Sequence, residues 1–263
     1  MNTQVLITLT DKEYRALQYL NASAFKEFVR SPHHYKNQQH REETEEMRIG
    51  TAVHALALEP KTFNDLFAFA PAGIDKRTTV GKQAWADFEV KSADKILLKS
   101  DSLDIVTGCV DAMRSSPTAS KLIDSSRHEL VVIAEIGGVP CKGKLDIVDS
   151  ENGIIADIKT TKNSADGKAF KFELTDRKYW VQVAFYTLLA EAAYGKPFEF
   201  KFIVCEKDAP FGVAVHTIHP NIIKHCQSAL LLHMAKYTHC KEHNAWVNLE
   251  DTTIDSICIP CLR

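Results

Sequence analysis

The stretch that most constrains this chain is KGKLDIVDSENGIIADIKTTK, residues 142–162. Two Val- and Ile-rich runs flank Asn152-Gly153, a hairpin-turn pair. With residues 150–153 as the loop, Asp149 pairs with Ile154, Val148 with Ile155 and Ile147 with Ala156. Asp146 then falls opposite Asp157. Opposed residues share a face with Cβ atoms roughly 5 Å apart, and Lys159, two residues beyond Asp157, joins that face. Facing carboxylates repel unless something positive lies between them. A hard divalent cation resolves the conflict, and a nearby ammonium adds to it. Such a centre polarises a phosphodiester oxygen and activates water, with Lys159 placed to orient that water or stabilise developing charge. The same residues also fit a solvated hairpin carrying an Asp–Lys–Asp ion pair, because D-x-K alone is common.

Around this hairpin the pattern changes from helical to extended and back. Residues 1–125 read mainly as helices. Thr10 and Glu13 have capping-box spacing, Ser23 is a candidate cap for a helix over 24–30, and Ser31-Pro32 starts another. A longer helix spans 45–58 and stops before Pro60, and 82–93 and 102–114 are amphipathic. Strands are expected at 129–136, 142–149 and 153–158. A helix follows over 176–194, ended by Gly195 and Pro197. Strands at 198–206 and 212–219 come next, and Pro220 opens a helix to about residue 237. This order predicts an α/β fold, a mixed central sheet flanked by helices. It is expected to form one domain over 1–263, with a helical part (1–125), a catalytic core (126–220) and a C-terminal helix and tail (221–263).

The 263 residues carry 45% hydrophobic and 25% charged side chains, as a water-soluble globular protein does. The N-terminus lacks the basic and apolar regions of a signal peptide, and no run is long enough to span a bilayer. Seven cysteines, mostly single within apolar stretches, suit buried thiols in a cytoplasmic protein. A net charge of −2 does not advertise nucleic-acid binding. Locally, however, residues 159–178 hold six Lys or Arg against three acids, and Lys76, Arg77 and Lys82 crowd another segment. A positive channel within a negative exterior is consistent with that sum.

D-(x10)-D-I-K resembles the core of PD-(D/E)xK nucleases. YWVQVAFYTLL places Gln182 and Tyr186 in a Q-x-x-x-Y pattern, and GTAVHALALEP contains G-x-x-x-H with His54. Both are similar to motifs of the RecB-type branch. LNASAFKEFVRSPHHYK and RTTVGKQAWADF resemble segments of the RecE (exonuclease VIII) phage subfamily, and the likeness runs over about residues 20–220. The resemblance implies a Mg²⁺ or Mn²⁺ site formed by His54, Asp146, Asp157 and the Ile158 carbonyl, with Lys159 as catalytic lysine. It implies that Gln182 and Tyr186 support the site or contact DNA, and that Glu135 enters a second metal's shell. Ser23 and Arg15 would bind a DNA 5′ end, as in the related lambda exonuclease. Lys162, Arg77 and Lys82 are further candidates for DNA contact. Without the resemblance, His54 between Val53 and Ala55 reads as a core histidine, and the lysines of 162–171 as a solvated loop.

The implied activity is digestion of linear double-stranded DNA from its ends, 5′ to 3′, leaving 3′ single strands for an annealing protein of the RecT or Redβ kind. The implied assembly is a ring of three or four copies, and the implied setting is a phage or prophage in a bacterial cytoplasm. Two alternatives stand beside it: an iron–sulfur RecB-type nuclease acting on single strands, and a catalytically retired subunit that binds or recruits to DNA ends. Cys240-x-x-His243 and Cys258-x-x-Cys261 have metal-like spacings, with a short terminal strand as the alternative.

Overall fold

Strands covered on both faces read as nearly continuous apolar runs, and LVVIAEI, LDIV and FIVC read that way for this reason. The computed structural model describes residues 3–6, 9–39 and 43–249. The N-terminal part contains β1 (Gln4–Leu6), α1 (Asp11–Ala16), α2 (Ala22–Arg30), α3 (Pro32–Lys36) and α4 (Glu45–Leu58). Next come α5 (Phe63–Leu66), β2 (Phe67–Phe69), α6 (Thr79–Lys91), β3 (Ile96–Leu98), α7 (Ser102–Ser115) and α8 (Pro117–Asp124). The central part is β4 (Arg127–Ile136), β5 (Val139–Asp149), β6 (Ile154–Thr161), α9 (Gly167–Asp176) and α10 (Tyr179–Tyr194). The chain continues through β7 (Glu199–Glu206), β8 (Val213–Ile218) and α11 (Pro220–His243). Among the described residues no helix is long and apolar enough to cross a membrane.

Six strands form one mixed sheet in the order β1-β4-β5-β6-β7-β8. Among the described residues of this sheet only β6 and β7 are parallel, and the chain between them forms α9 and α10; β2 and β3 form a separate parallel pair. On one face, Phe25 and Phe28 of α2, Phe185 and Leu189 of α10 and Leu230 of α11 pack over Leu130, Leu145 and Ile155. On the other, Ile49 and Val53 of α4, Val106 and Met113 of α7 and Ile123 of α8 pack over Ile147, Ala156 and Ile158. Gly143 admits α10 to the sheet, since a Cβ there would meet Leu189 Cδ1 at 2.6 Å.

The expected α/β architecture and the 150–153 loop are both present, and α4 has the expected bounds. The capping box at Thr10 forms, and Ser31 caps α3 with Pro32 in its first turn. Other expectations need correction. Asn21, not Ser23, caps α2, through its side chain and the Ala24 N–H. The helix expected over 176–194 is α10, which starts at Tyr179 after Lys178 takes a left-handed φ of 50°, and a helix that was not expected, α9, precedes it over Gly167–Asp176. Asp166 caps α9 through the N–H groups of Lys168 and Ala169, so Lys168 and Lys171 stand on a helix and not in a loop. The last helix runs six residues further than expected, to His243.

Candidate active site

Gly137-Gly138 closes the β4–β5 hairpin with both φ angles positive, 57° and 78°, as a two-residue type I′ turn requires. Pairing then starts at Ile136↔Val139 and runs down the ladder to Arg127↔Val148. It passes from Leu130↔Leu145 to His128↔Ile147 and leaves out Glu129 and Asp146. The β5–β6 ladder contains Asp149↔Ile154, Val148↔Ile155 and Ile147↔Ala156, the predicted register, and stops there. Asp146 is therefore the residue at which β5 loses regular pairing on both sides.

The cause is a one-residue slip in alternation. Leu145 and Val148 pack in one core while Ile147 packs in the other. Across from Asp146, Glu129 takes a left-handed φ of 52°, uncommon for a residue with a side chain. Asp146 faces α4, where its Oδ2 lies 3.1 Å from His54 Nδ1 and accepts the Ile158 N–H at 3.0 Å. His54, Glu129 and Asp146 each place a ligand atom within 4.8 Å of the other two.

Asp157 completes the site from β6. Its side chain is 1% exposed, and Oδ2 lies 2.5 Å from Lys159 Nζ yet accepts no well-angled hydrogen bond. Oδ1 accepts from Gln182 Nε2 of α10, and Tyr186, one turn on, hydrogen-bonds Gln182. Gln182 and Tyr186 thus support the site from beneath. Lys159 Nζ also stands 4.9 Å from the Tyr179 ring centre.

The protonation states follow from this crowding. Burial, and then the Asp146 charge, raises the Asp157 carboxyl to about 6. Burial and Asp146 likewise raise Glu129 to about 7, against the ion pair to Lys144 at 2.6 Å. Burial alone would lower the His54 pKa, but Asp146, by charge and by hydrogen bond, more than reverses this and holds it at about 9. Asp146 stays below its usual range despite burial, because of His54 and Lys159. Three carboxylates and an imidazole, with one carboxylate oxygen lacking a hydrogen bond, form a donor set suited to a hard divalent cation.

His54, Asp146, Ile158, Lys159, Lys162 and Ser23 all line one cleft of about 750 Å³. Lys162 is paired there with Glu46 at 2.8 Å. Glu135 is not part of the site. It is exposed and pairs with Pro140 beside the hairpin turn, six residues or about 20 Å along β4 from Glu129. Glu129 occupies the place expected for it. The turn could have shown this, since pairing counted from Gly137-Gly138 sets Glu129 against Asp146. Arg15, Arg77 and Lys82 are exposed and do not line the cleft, and Arg77 is held by Asp75 at 3.0 Å. Lys26 was not anticipated. One turn beyond Ser23, it stands 5.2 Å from the Tyr179 ring centre, and burial, then Lys159, lowers its pKa to about 8. Cys240 is buried in the core while His243 is exposed. Cys258 and Cys261 lie outside the described residues.

A mixed sheet that splays at paired carboxylates, with a lysine two residues beyond the second, defines the PD-(D/E)xK nuclease superfamily, and the comparisons agree. Residues 21–250 match the family described as "PDDEXK-like domain of unknown function (DUF3799)", and the chain belongs to that family. It is similar in fold to a crystal structure from Eubacterium rectale titled "Putative exonuclease", with a TM-score of 0.62 and 13% identity over 94% of this chain and 97% of that one. No curated protein matches the chain.

Proposed function

We propose that this protein is a Mg²⁺- or Mn²⁺-dependent exodeoxyribonuclease that digests linear double-stranded DNA. The observation that carries the reading is the row Glu129, Asp146, Asp157 across three strands, with Lys159 against the last of them and His54 against the second. His54, Glu129 and Asp146, with Asp157 beside them, would hold the cation, which when bound supplies Lewis-acid activation of the phosphodiester. Lys159 stabilises charge developing on the phosphate. Gln182 fixes the Asp157 carboxylate, and Tyr186 fixes Gln182. The retention of His54, Asp146, Asp157 and Lys159 in contact argues for a working enzyme over a retired one.

Direction and assembly rest on the resemblance of the motifs. The reading includes 5′ to 3′ digestion, a 3′ strand passed to an annealing protein, and a ring of three or four copies in a bacterial cytoplasm. Lys76, Arg77 and Lys82 would face the ring's channel, and Ser23, at the cleft, would meet the 5′ end, with Arg15 as the matching basic residue. The test is incubation with end-labelled linear duplex and with covalently closed circles, with and without Mg²⁺. Loss of label from linear DNA only, and only with metal, is expected. Intact linear DNA in both Mg²⁺ and Mn²⁺ would refute the reading.

A further inference from the structure

Four residues beyond Asp157 on β6, the cleft holds a second cluster, built around Thr161. Lys162 follows Thr161 directly. Lys207, the first residue after β7, donates its backbone N–H to the Thr161 carbonyl at 2.8 Å. Arg177 lies 3.6 Å from Glu173, which accepts the Thr161 hydroxyl at 2.5 Å and the Asn163 amide at 2.7 Å. All three cations line the cleft.

Two of the three have partners. Glu46 takes Lys162 and Glu173 takes Arg177. Lys207 is only 8% exposed, and among the described residues no ion pair or hydrogen bond engages its ammonium. Its stem is covered while its ammonium keeps access to the cleft, and the Glu46 carboxylate, whose charge reaches it, is already taken by Lys162, so an anion entering the cleft meets an unengaged cation. Stability alone does not call for a lysine here, because an apolar side chain of equal length would fill the same space.

We propose that Lys207, with Lys162 and Arg177, forms a phosphate subsite distinct from the carboxylate centre, binding one phosphate group of the nucleic acid that enters the cleft. It rests on the nuclease reading for its ligand but uses none of the same residues. The phosphate is either an internal phosphodiester or a terminal monoester.

The experiment is equilibrium binding of a short fluorescent duplex by the full chain with metal chelated, over a salt series, for the parent and Lys207→Met. The variant is expected to bind about tenfold or more weakly, the loss of one charge-assisted phosphate contact. The slope of log affinity against log salt should fall in magnitude by about 0.9. Its melting temperature should stay close to the parent's, since methionine covers the same space as the lysine stem. A parental salt slope in the variant overturns the subsite, whatever the melting temperature. Duplexes with 5′-phosphate and 5′-hydroxyl ends separate the two sources: loss on both assigns an internal phosphodiester, and loss only on the first assigns the end. If the parent shows the Lys207-dependent slope but leaves linear DNA uncut with Mg²⁺ and Mn²⁺, the nuclease reading falls and the subsite stands. If it cuts and the variant keeps the parental slope, the reverse holds.

Discussion

Replacing Asp157 by Asn should stabilise the metal-free protein, while replacing Asp146 by Asn should weaken it, although both changes should abolish cleavage. The Asp157 carboxyl titrates near 3.8 when unfolded and at about 6 in the fold, first through burial and then through Asp146. The folded state therefore holds this proton more tightly. Its contribution to stability is full below pH 3.8 and is lost as pH rises through about 6. A gap of about two units corresponds to roughly 3 kcal/mol by which ionised Asp157 weakens the fold. Asparagine keeps an acceptor for Gln182 and removes the charge, but it takes the partner from Lys159. A net gain of about 1–3 kcal/mol at pH 8 is expected, about 2–4 °C in melting temperature per kcal/mol, and none at pH 4.

Asp146 has the opposite sign. Its carboxyl is held low, against burial, by His54 and Lys159, so its contribution is present above the unfolded pKa and lost in acid. Asn at 146 strands the His54 imidazolium and should cost about 1–3 kcal/mol. Thermal denaturation of the three proteins in chelator at pH 4, 6 and 8 measures both effects. Mn²⁺ should then stabilise the parent more than either variant. A lower melting temperature for Asp157→Asn at pH 8, or a gain of equal size at every pH, would sink the reasoning.

Lys159→Ala should remove cleavage while leaving duplex affinity within a few-fold, because its charge acts on the transition state; gel-based cleavage beside anisotropy checks this, and near-parental turnover would contradict it. His54→Ala should weaken metal binding, with partial recovery of activity at high Mn²⁺; parental metal affinity with a lower melting temperature would make His54 a packing residue. Glu129→Gln should lower metal affinity and, since burial raises this carboxyl to about 7, should flatten the fall in metal-free stability between about pH 4.5 and 7. Light scattering at micromolar concentration should give a trimer or tetramer mass, and a monomer with and without DNA would exclude the ring.

Much of this protein is legible without coordinates, and the reason is that local rules act there. Asn152-Gly153 sets its hairpin register by turn geometry alone, and Ile147, Val148 and Asp149 pair as counted. The 3.6-residue apolar pattern and Pro60 bound α4, and Gly50 and His54 fall on it as the motif requires. What the residues could not disclose depends on two layers meeting. Regular alternation continues the ladder to Asp146 and Asp157, but alternation slips at Asp146 so that Leu145 and Val148 share one core while Ile147 fills the other. Glu129 rather than Glu135, which has the same chemistry on the same strand, joins Asp146 because the register counted from Gly137-Gly138 sets them opposite each other, and the packing of α4 on that face brings His54 to Asp146. Lys207 was silent for the same reason. Its sequence neighbours make it a surface lysine, and only the convergence of β6, β7 and α9 covers its stem and leaves its ammonium at the cleft with no ion pair among the described residues. Local spacing determined which side chains could do the chemistry, and packing on both faces of the sheet decided which of them share a site, because burial and proximity belong to the assembled layers.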